Sequence, residues 1–154
     1  MPIPSAGAGQ TWVTRVPWLS PDPDRTSLRA TGHAVLVVDD DHGVLRLTAR
    51  ILRLEGYTVL EAASGADALL ILDHQPDVRL VLTDVVMPEM HGLDLAATIM
   101  ERAPRPTVIL MTGHAAELSG RLESRDPSLP LLLKPFTSQQ LIKTVRMALG
   151  NARH

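Results

Sequence analysis

Five short apolar runs, four of them followed by a helical period or a capped turn into one, constrain this chain more than any other feature. The run Ala34–Val38 (AVLVV) is apolar at every position and too short for a helix, which predicts a strand buried on both faces. Further strands are expected at 57–61, 78–83 (VRLVLT), 107–111 (TVILM) and 130–133. Between the first two, Val44, Leu47, Thr48, Ile51 and Leu54 recur at helical spacing, and Gly56 supplies a left-handed stop before Tyr57. Ser64 caps a second helix reaching about His74, a third is expected over 92–102, closed by Pro104 and Pro106, and a last one over 138–149. Parallel strands need crossover helices, and right-handed crossovers place those helices on both faces. The expected fold is therefore α/β, a doubly wound five-stranded parallel sheet. Its weak element is the fourth helix, at 114–126, where Gly120 and few apolar residues predict a short or mobile segment.

Organisation along the chain is uneven. Residues 1–33 hold five of the twelve prolines and both tryptophans, and they show no apolar periodicity long enough for a helix. They read as a tail or linker, for which two readings stand: a disordered Pro-rich leader, the plainer one, or a short extended piece formed by Trp12, Val13, Val16 and Trp18 that docks on a surface. The compact unit is expected over 34–150, with 151–154 as a C-terminal tail and no room for a second full domain in 154 residues. Fifteen Lys and Arg against seventeen Asp and Glu give a charge of −2, which argues against a nucleic-acid surface. With no cysteine there is no disulfide framework, thiolate metal site or thiol nucleophile, as fits the cytoplasm. No apolar run is long enough to span a membrane and no secretory leader is visible.

Ligands of an open parallel sheet bind outside the carboxyl ends of its strands. That rule gathers Asp39, Asp40 and Asp41 after the first strand, Asp84 after the third, Thr112 after the fourth and Lys134 after the fifth. Singly, each has a plain structural reading: the acidic triplet as a helix start, Asp84 as a turn residue, Thr112 as a local hydroxyl, Lys134 as a solvated charge. Those readings leave their convergence on one edge unexplained. Carboxylates packed together repel unless a cation neutralises them, and Mg²⁺, which takes one or two carboxylates and completes its shell with water and phosphate oxygens, suits such a cluster. A nearby lysine suits a phosphoryl group, and a carboxylate can itself be the nucleophile that forms an aspartyl-phosphate.

Over about residues 33–150 the chain resembles the receiver domain of two-component response regulators. The resemblance rests on Val37-Val38-Asp39-Asp40, on D-x-x-M-P-x-M-x-G from Asp84 to Gly92, on Met111-Thr112-Gly113 and on Lys134-Pro135-Phe136. Five fixed positions recur by chance on the order of once in a few million windows, so the second motif is specific. The resemblance implies a flavodoxin-like fold and Asp84 as acceptor of a phosphoryl group from a histidine kinase or histidine phosphotransfer protein. It implies Mg²⁺ held by Asp40 and Asp84, by Asp39 through a water, and by the backbone carbonyl of Val86. Thr112 is then the switch hydroxyl, Lys134 the phosphoryl ligand, and the Lys134-Pro135 peptide cis. Such a domain is not a turnover enzyme; it catalyses only its own phosphorylation and dephosphorylation.

Two departures narrow the reading. The aromatic residue common in the family three positions before its lysine is Leu131 here, so the aromatic form of the switch is absent. Five residues remain after Leu149, so no output domain and no nucleic-acid partner are expected. That leaves a stand-alone receiver, a phosphorelay shuttle or a unit resembling the C-terminal receiver of hybrid sensor kinases. Leu45 and Ala49 are expected to contact a partner's histidine-bearing four-helix bundle. Rival readings fit less well. A phosphohydrolase with an aspartyl-phosphate intermediate typically needs a second Asp where Val86 stands, a nucleotide-binding module needs a glycine-rich loop after the first strand, and a pure interaction module has no use for the retained polar set.

Overall fold

Continuous β-branched runs become the strands of one sheet. The computed structural model describes residues 3–5, 7–8, 34–113 and 129–152. Strands β1 (Ala34–Val38), β2 (Thr58–Ala62), β3 (Val78–Asp84), β4 (Thr107–Thr112) and β5 (Leu131–Leu133) pair in the order β2-β1-β3-β4-β5, each pairing parallel. Helices α1 (His42–Leu54), α2 (Gly65–His74), α3 (Gly92–Met100) and α4 (Ser138–Ala152) cover it. Residues Ile3–Ser5 and Gly7–Ala8 form a small antiparallel pair of their own. The fold is the doubly wound α/β sandwich that the strand pattern predicts, flavodoxin-like as the resemblance implies, with boundaries displaced by one to three residues. The segment 114–126, where a short fourth helix is expected, lies outside the described residues, as does the tryptophan segment of the leader.

Because side chains alternate across a strand, a run apolar at every position feeds two cores. Leu36, Val38, Val81 and Leu110 pack with Ala68, Ile71 and Leu72 of α2 and Leu95, Ala96 and Ile99 of α3. On the other face Val35, Val37, Leu82 and Met111 meet Leu45, Ala49 and Leu52 of α1 and Leu141 and Val145 of α4. The sheet is thus doubly wound, and the order of strand addition reverses between β1 and β3, the point at which such sheets open a crevice.

Local chemistry ends the elements where the sequence says it should. Ser64 accepts the Asp67 N–H at 3.1 Å and starts α2. Gly56 sits at φ 101° just after α1, in the left-handed region that a side chain disfavours.

The face of α1 differs from expectation. The structure buries Leu45, Thr48, Ala49 and Leu52, whereas the stripe read from the sequence shares only Thr48 with that set. Small Ala49 and Thr48 let the helix lie close on the sheet, while Leu47 and Leu54 point to solvent. Leu45 and Ala49, expected to touch a partner, are core residues at 4% and 0% exposure and are not available for that contact. Among the described residues no helix is long and apolar enough to cross a membrane.

Candidate functional site

All the polar residues picked out at strand ends come to one edge of the sheet. Register does this: Val38 is opposite Thr83, Asp84 opposite Met111, and Thr112 opposite Leu133, so Asp39, Asp84, Thr112 and Lys134 stand side by side one strand apart. Backbone bonds hold the row together, with Val85 N–H donating to Met111 O at 2.9 Å and Lys134 N–H to Thr112 O at 2.9 Å.

The acidic triplet splits into three roles. Asp41 is the N-cap of α1, its carboxylate accepting the Gly43 and Val44 N–H groups at 2.9 and 3.2 Å. Asp39 is fully buried; one oxygen accepts the Asp41 N–H at 2.9 Å and the other accepts Lys134 Nζ at 2.7 Å. Asp40 is exposed, yet a carboxylate oxygen from each of Asp39, Asp40 and Asp84 can lie within 4.8 Å of the others. The helix-start reading is therefore right for Asp41 and insufficient for its two neighbours.

Lys134 reaches two carboxylates, Asp39 at 2.7 Å and Asp84 at 3.3 Å. The Lys134-Pro135 peptide is cis, as the resemblance implies. Burial pushes the Asp84 carboxyl above its ordinary value, the charge of Asp39 pushes the same way, and Lys134 opposes both without cancelling them. Burial pulls the Lys134 ammonium down, but its hydrogen bond to Asp39 and the charges of Asp39 and Asp84 outweigh this, and the net direction is upward. Among the described residues, three carboxylates face one ammonium, which leaves them short of positive charge.

That deficit tests whether a metal fits. An all-oxygen set of carboxylates on a partly open edge matches a hard divalent cation such as Mg²⁺, which keeps water and leaves room for a phosphate. Val86, two residues beyond Asp84, is half-buried, and its carbonyl accepts no hydrogen bond from the described residues. The donor set Asp39, Asp40, Asp84 and Val86 O is thus consistent with the ion.

Gly92 has a role the sequence does not disclose. It opens α3 directly against the end of β3: its N–H donates to Val85 O at 2.8 Å, and a Cβ there would collide with the Asp84 carbonyl. A glycine eight residues after an aspartate carries no such message until the chain is folded. Next to it, Met90 closes on Gly65 at the start of α2, where a Cβ would press into its side chain, so the loop after Asp84 is packed onto a neighbouring element. Glu89 within that loop takes φ 70°.

Comparison with known proteins follows this geometry. The family model for the response regulator receiver domain matches residues 35–146. The chain belongs to that family. It is a receiver domain of two-component systems. It is 39% identical over 113 residues to sensor kinase CckA of Brucella abortus (strain 2308), covering 73% of this chain and 12% of that protein. It is 32% identical over 115 residues to the response regulator receiver protein CpdR of the same organism, covering 75% of this chain and 95% of the relative. A CheY-like receiver domain protein from Methanospirillum hungatei JF-1 superposes with a TM-score of 0.69 at 28% identity, covering 79% of this chain and 96% of that one. The chain therefore spans nearly the whole of one relative and about an eighth of another.

Proposed function

We propose that this receiver accepts a phosphoryl group on Asp84 from the phosphohistidine of a histidine kinase or phosphotransfer protein, in a Mg²⁺-dependent reaction, and switches a partner-binding surface through Thr112 and Lys134. The observation that carries the reading is Lys134 Nζ, 2.7 Å from Asp39 and 3.3 Å from Asp84 inside a group of three carboxylates. A cation so placed is useful to an incoming phosphoryl oxygen as well as to the carboxylates.

In this reading an Asp84 oxygen attacks phosphorus in line as the P–N bond to the donor imidazole breaks, and the imidazole leaves with the bond's electron pair. Phosphoryl transfer depends on positioning and charge neutralisation more than on covalent assistance. Burial of Asp84 at the end of β3, with Gly92 packed on its backbone, fixes the nucleophile. Lys134 neutralises one developing oxygen charge. Asp40, Asp84 and Val86 O, with Asp39 through a water, would hold Mg²⁺, which when bound supplies the remaining neutralisation. Thr112, fully buried beside the row, is the hydroxyl that turns toward the new phosphate. The receiver unit is 34–150, flanked by the 1–33 leader and a short tail, and it works in the cytoplasm as a signalling module that acts only on itself. Similarity to a protein named sensor kinase favours a hybrid-kinase context, and similarity to CpdR a stand-alone one.

The test is phosphate incorporation from acetyl phosphate, with and without Mg²⁺, on the wild type and Asp84→Asn, read by intact mass. A gain of one phosphoryl group that needs Mg²⁺ and is lost in the variant is expected. Phosphate on another residue of the wild type would overturn the assignment of Asp84.

A further inference from the structure

Helix α1 carries two apolar stripes, and the sheet uses one. Leu45, Ala49 and Leu52 are buried. The other stripe runs Val44, Leu47, Ile51 and Leu54 at spacings of three and four, which places these side chains along one flank. Val44 and Ile51 are half-buried, whereas Leu47 is 61% and Leu54 78% exposed. A lone surface leucine is ordinary, but an unbroken second stripe is the form of a helix face that receives another segment. Beside it, Arg46 and Arg50 are exposed and make no ion pair with the described residues.

The chain holds a segment of matching chemistry. In extended form, Trp12, Val16 and Trp18 fall on one face of residues 12–18, a length of about 20 Å. The stripe from Val44 to Leu54 is about 15 Å long. The leader carries Asp22 and Asp24 together with Arg15, Arg25 and Arg29, so its charge is mixed and its match to the stripe is apolar. The leader joins the domain at Ala34, which pairs with Thr58, four positions beyond Leu54, so leader and stripe meet at the same end of the sheet. The residues between Trp18 and Ala34 reach up to roughly 50 Å, more than the whole of α1 at about 20 Å.

We propose that leader residues 12–18 dock on the outer apolar stripe of α1 in the same chain. The docking stands on the stripe, the apolar match and the attachment point alone. Its consequence rests on the receiver reading: because α1 starts at Asp41, beside Asp39 and Asp40, a covered α1 narrows the approach of a protein donor to the acidic pocket.

Both tryptophans of the protein lie in this segment, so tryptophan emission reports on the leader alone. The experiment compares the full chain with the full-length Leu47→Ser/Leu54→Ser variant, by emission wavelength and acrylamide quenching over a range of protein concentrations. Both substitutions are at exposed positions, and far-UV circular dichroism checks that the fold is kept. Docking predicts blue-shifted, shielded tryptophans in the wild type at every concentration, and in the variant a red shift with quenching severalfold stronger, close to that of free N-acetyltryptophanamide. Tryptophans as open in the wild type as in the free compound overturn it, as does equal shielding in both chains. Shielding lost on dilution assigns the stripe to a second copy and overturns it too. Phosphorylation plays no part in the readout, so failure of the receiver reading leaves this result intact.

Discussion

The two ends of the strands follow opposite rules. Along the body of the sheet, Leu36, Leu80, Leu82 and Ile109 are fully buried among apolar neighbours, and local propensity, alternation and packing agree. At the carboxyl edge, Asp39 and Asp84 are almost as deeply buried but face each other, with one lysine among the described residues between them. The body has minimised its own free energy, whereas the edge keeps charges that repel, an arrangement that suits the proposed binding of a cation and a phosphoryl group. Neutralising a buried carboxylate at the edge should therefore carry the opposite sign to a truncation in the body.

The largest effect is expected in the body. Leu36→Ala removes a fully buried side chain at the centre of β1 and should lower stability by about 2 to 5 kcal/mol in urea denaturation, the range for cavities in packed cores. A smaller loss would mean that the cluster around α2 and α3 collapses onto the gap. Gly92→Ala is next, and it joins the two regions. Its Cβ meets the Asp84 carbonyl, so either α3 or the end of β3 must shift. Overpacking of this kind costs about 1 to 3 kcal/mol and, by moving Asp84, should also slow phosphorylation by acetyl phosphate. Wild-type stability in the variant would show the junction to be softer than its contacts imply.

This contrast also explains what could be read in the sequence. The strands were legible because β-branched runs such as Ala34–Val38 have one good solution, and Asp39, Asp84, Thr112 and Lys134 because strand ends of a parallel sheet converge wherever the exact boundaries fall. The buried face of α1 was not legible. Apolar residues occupy both of its flanks, and periodicity alone favours the larger Leu47 and Leu54 over Thr48 and Ala49, whose small size is what lets the helix approach. Nor could pattern divide three consecutive aspartates into a buried partner of Lys134, an exposed carboxylate and a helix cap. Gly92 shows its purpose only against the Asp84 backbone.

Dividing the triplet gives the next prediction. Asp41→Ala deletes the acceptor for two N–H groups at the start of α1 and should cost about 1 kcal/mol, while Asp40→Ala, at an exposed position with no capping bond, should leave metal-free stability within about 0.5 kcal/mol. Parallel thermal denaturation of the two variants checks this. Equal losses would mean that the triplet acts as one electrostatic unit.

The last expected effect has the reverse sign. Asp84→Asn removes a carboxylate whose charged form is opposed first by burial and then by Asp39, and although it also removes a partner of Lys134, the net push on Asp84 is upward. A group raised on folding stabilises the native state most fully below its unfolded value, and that contribution is lost as pH climbs through the folded value. For Asp84 the loss begins near the ordinary 3.8 and extends above it. Without metal the variant should therefore match the wild type in acid and exceed it by up to about 1 kcal/mol near neutral pH, as expected for replacing a poorly compensated buried charge. Mg²⁺ should close or invert that gap, because a ligand that binds the native state stabilises it and the wild type keeps the fuller set of carboxylates. Urea denaturation at several pH values, with EDTA or with Mg²⁺, measures both parts. A variant less stable than the wild type in EDTA at neutral pH would mean that Lys134 fully compensates Asp84, and the contrast between the edge and the body of the sheet would then reduce to Asp39 alone.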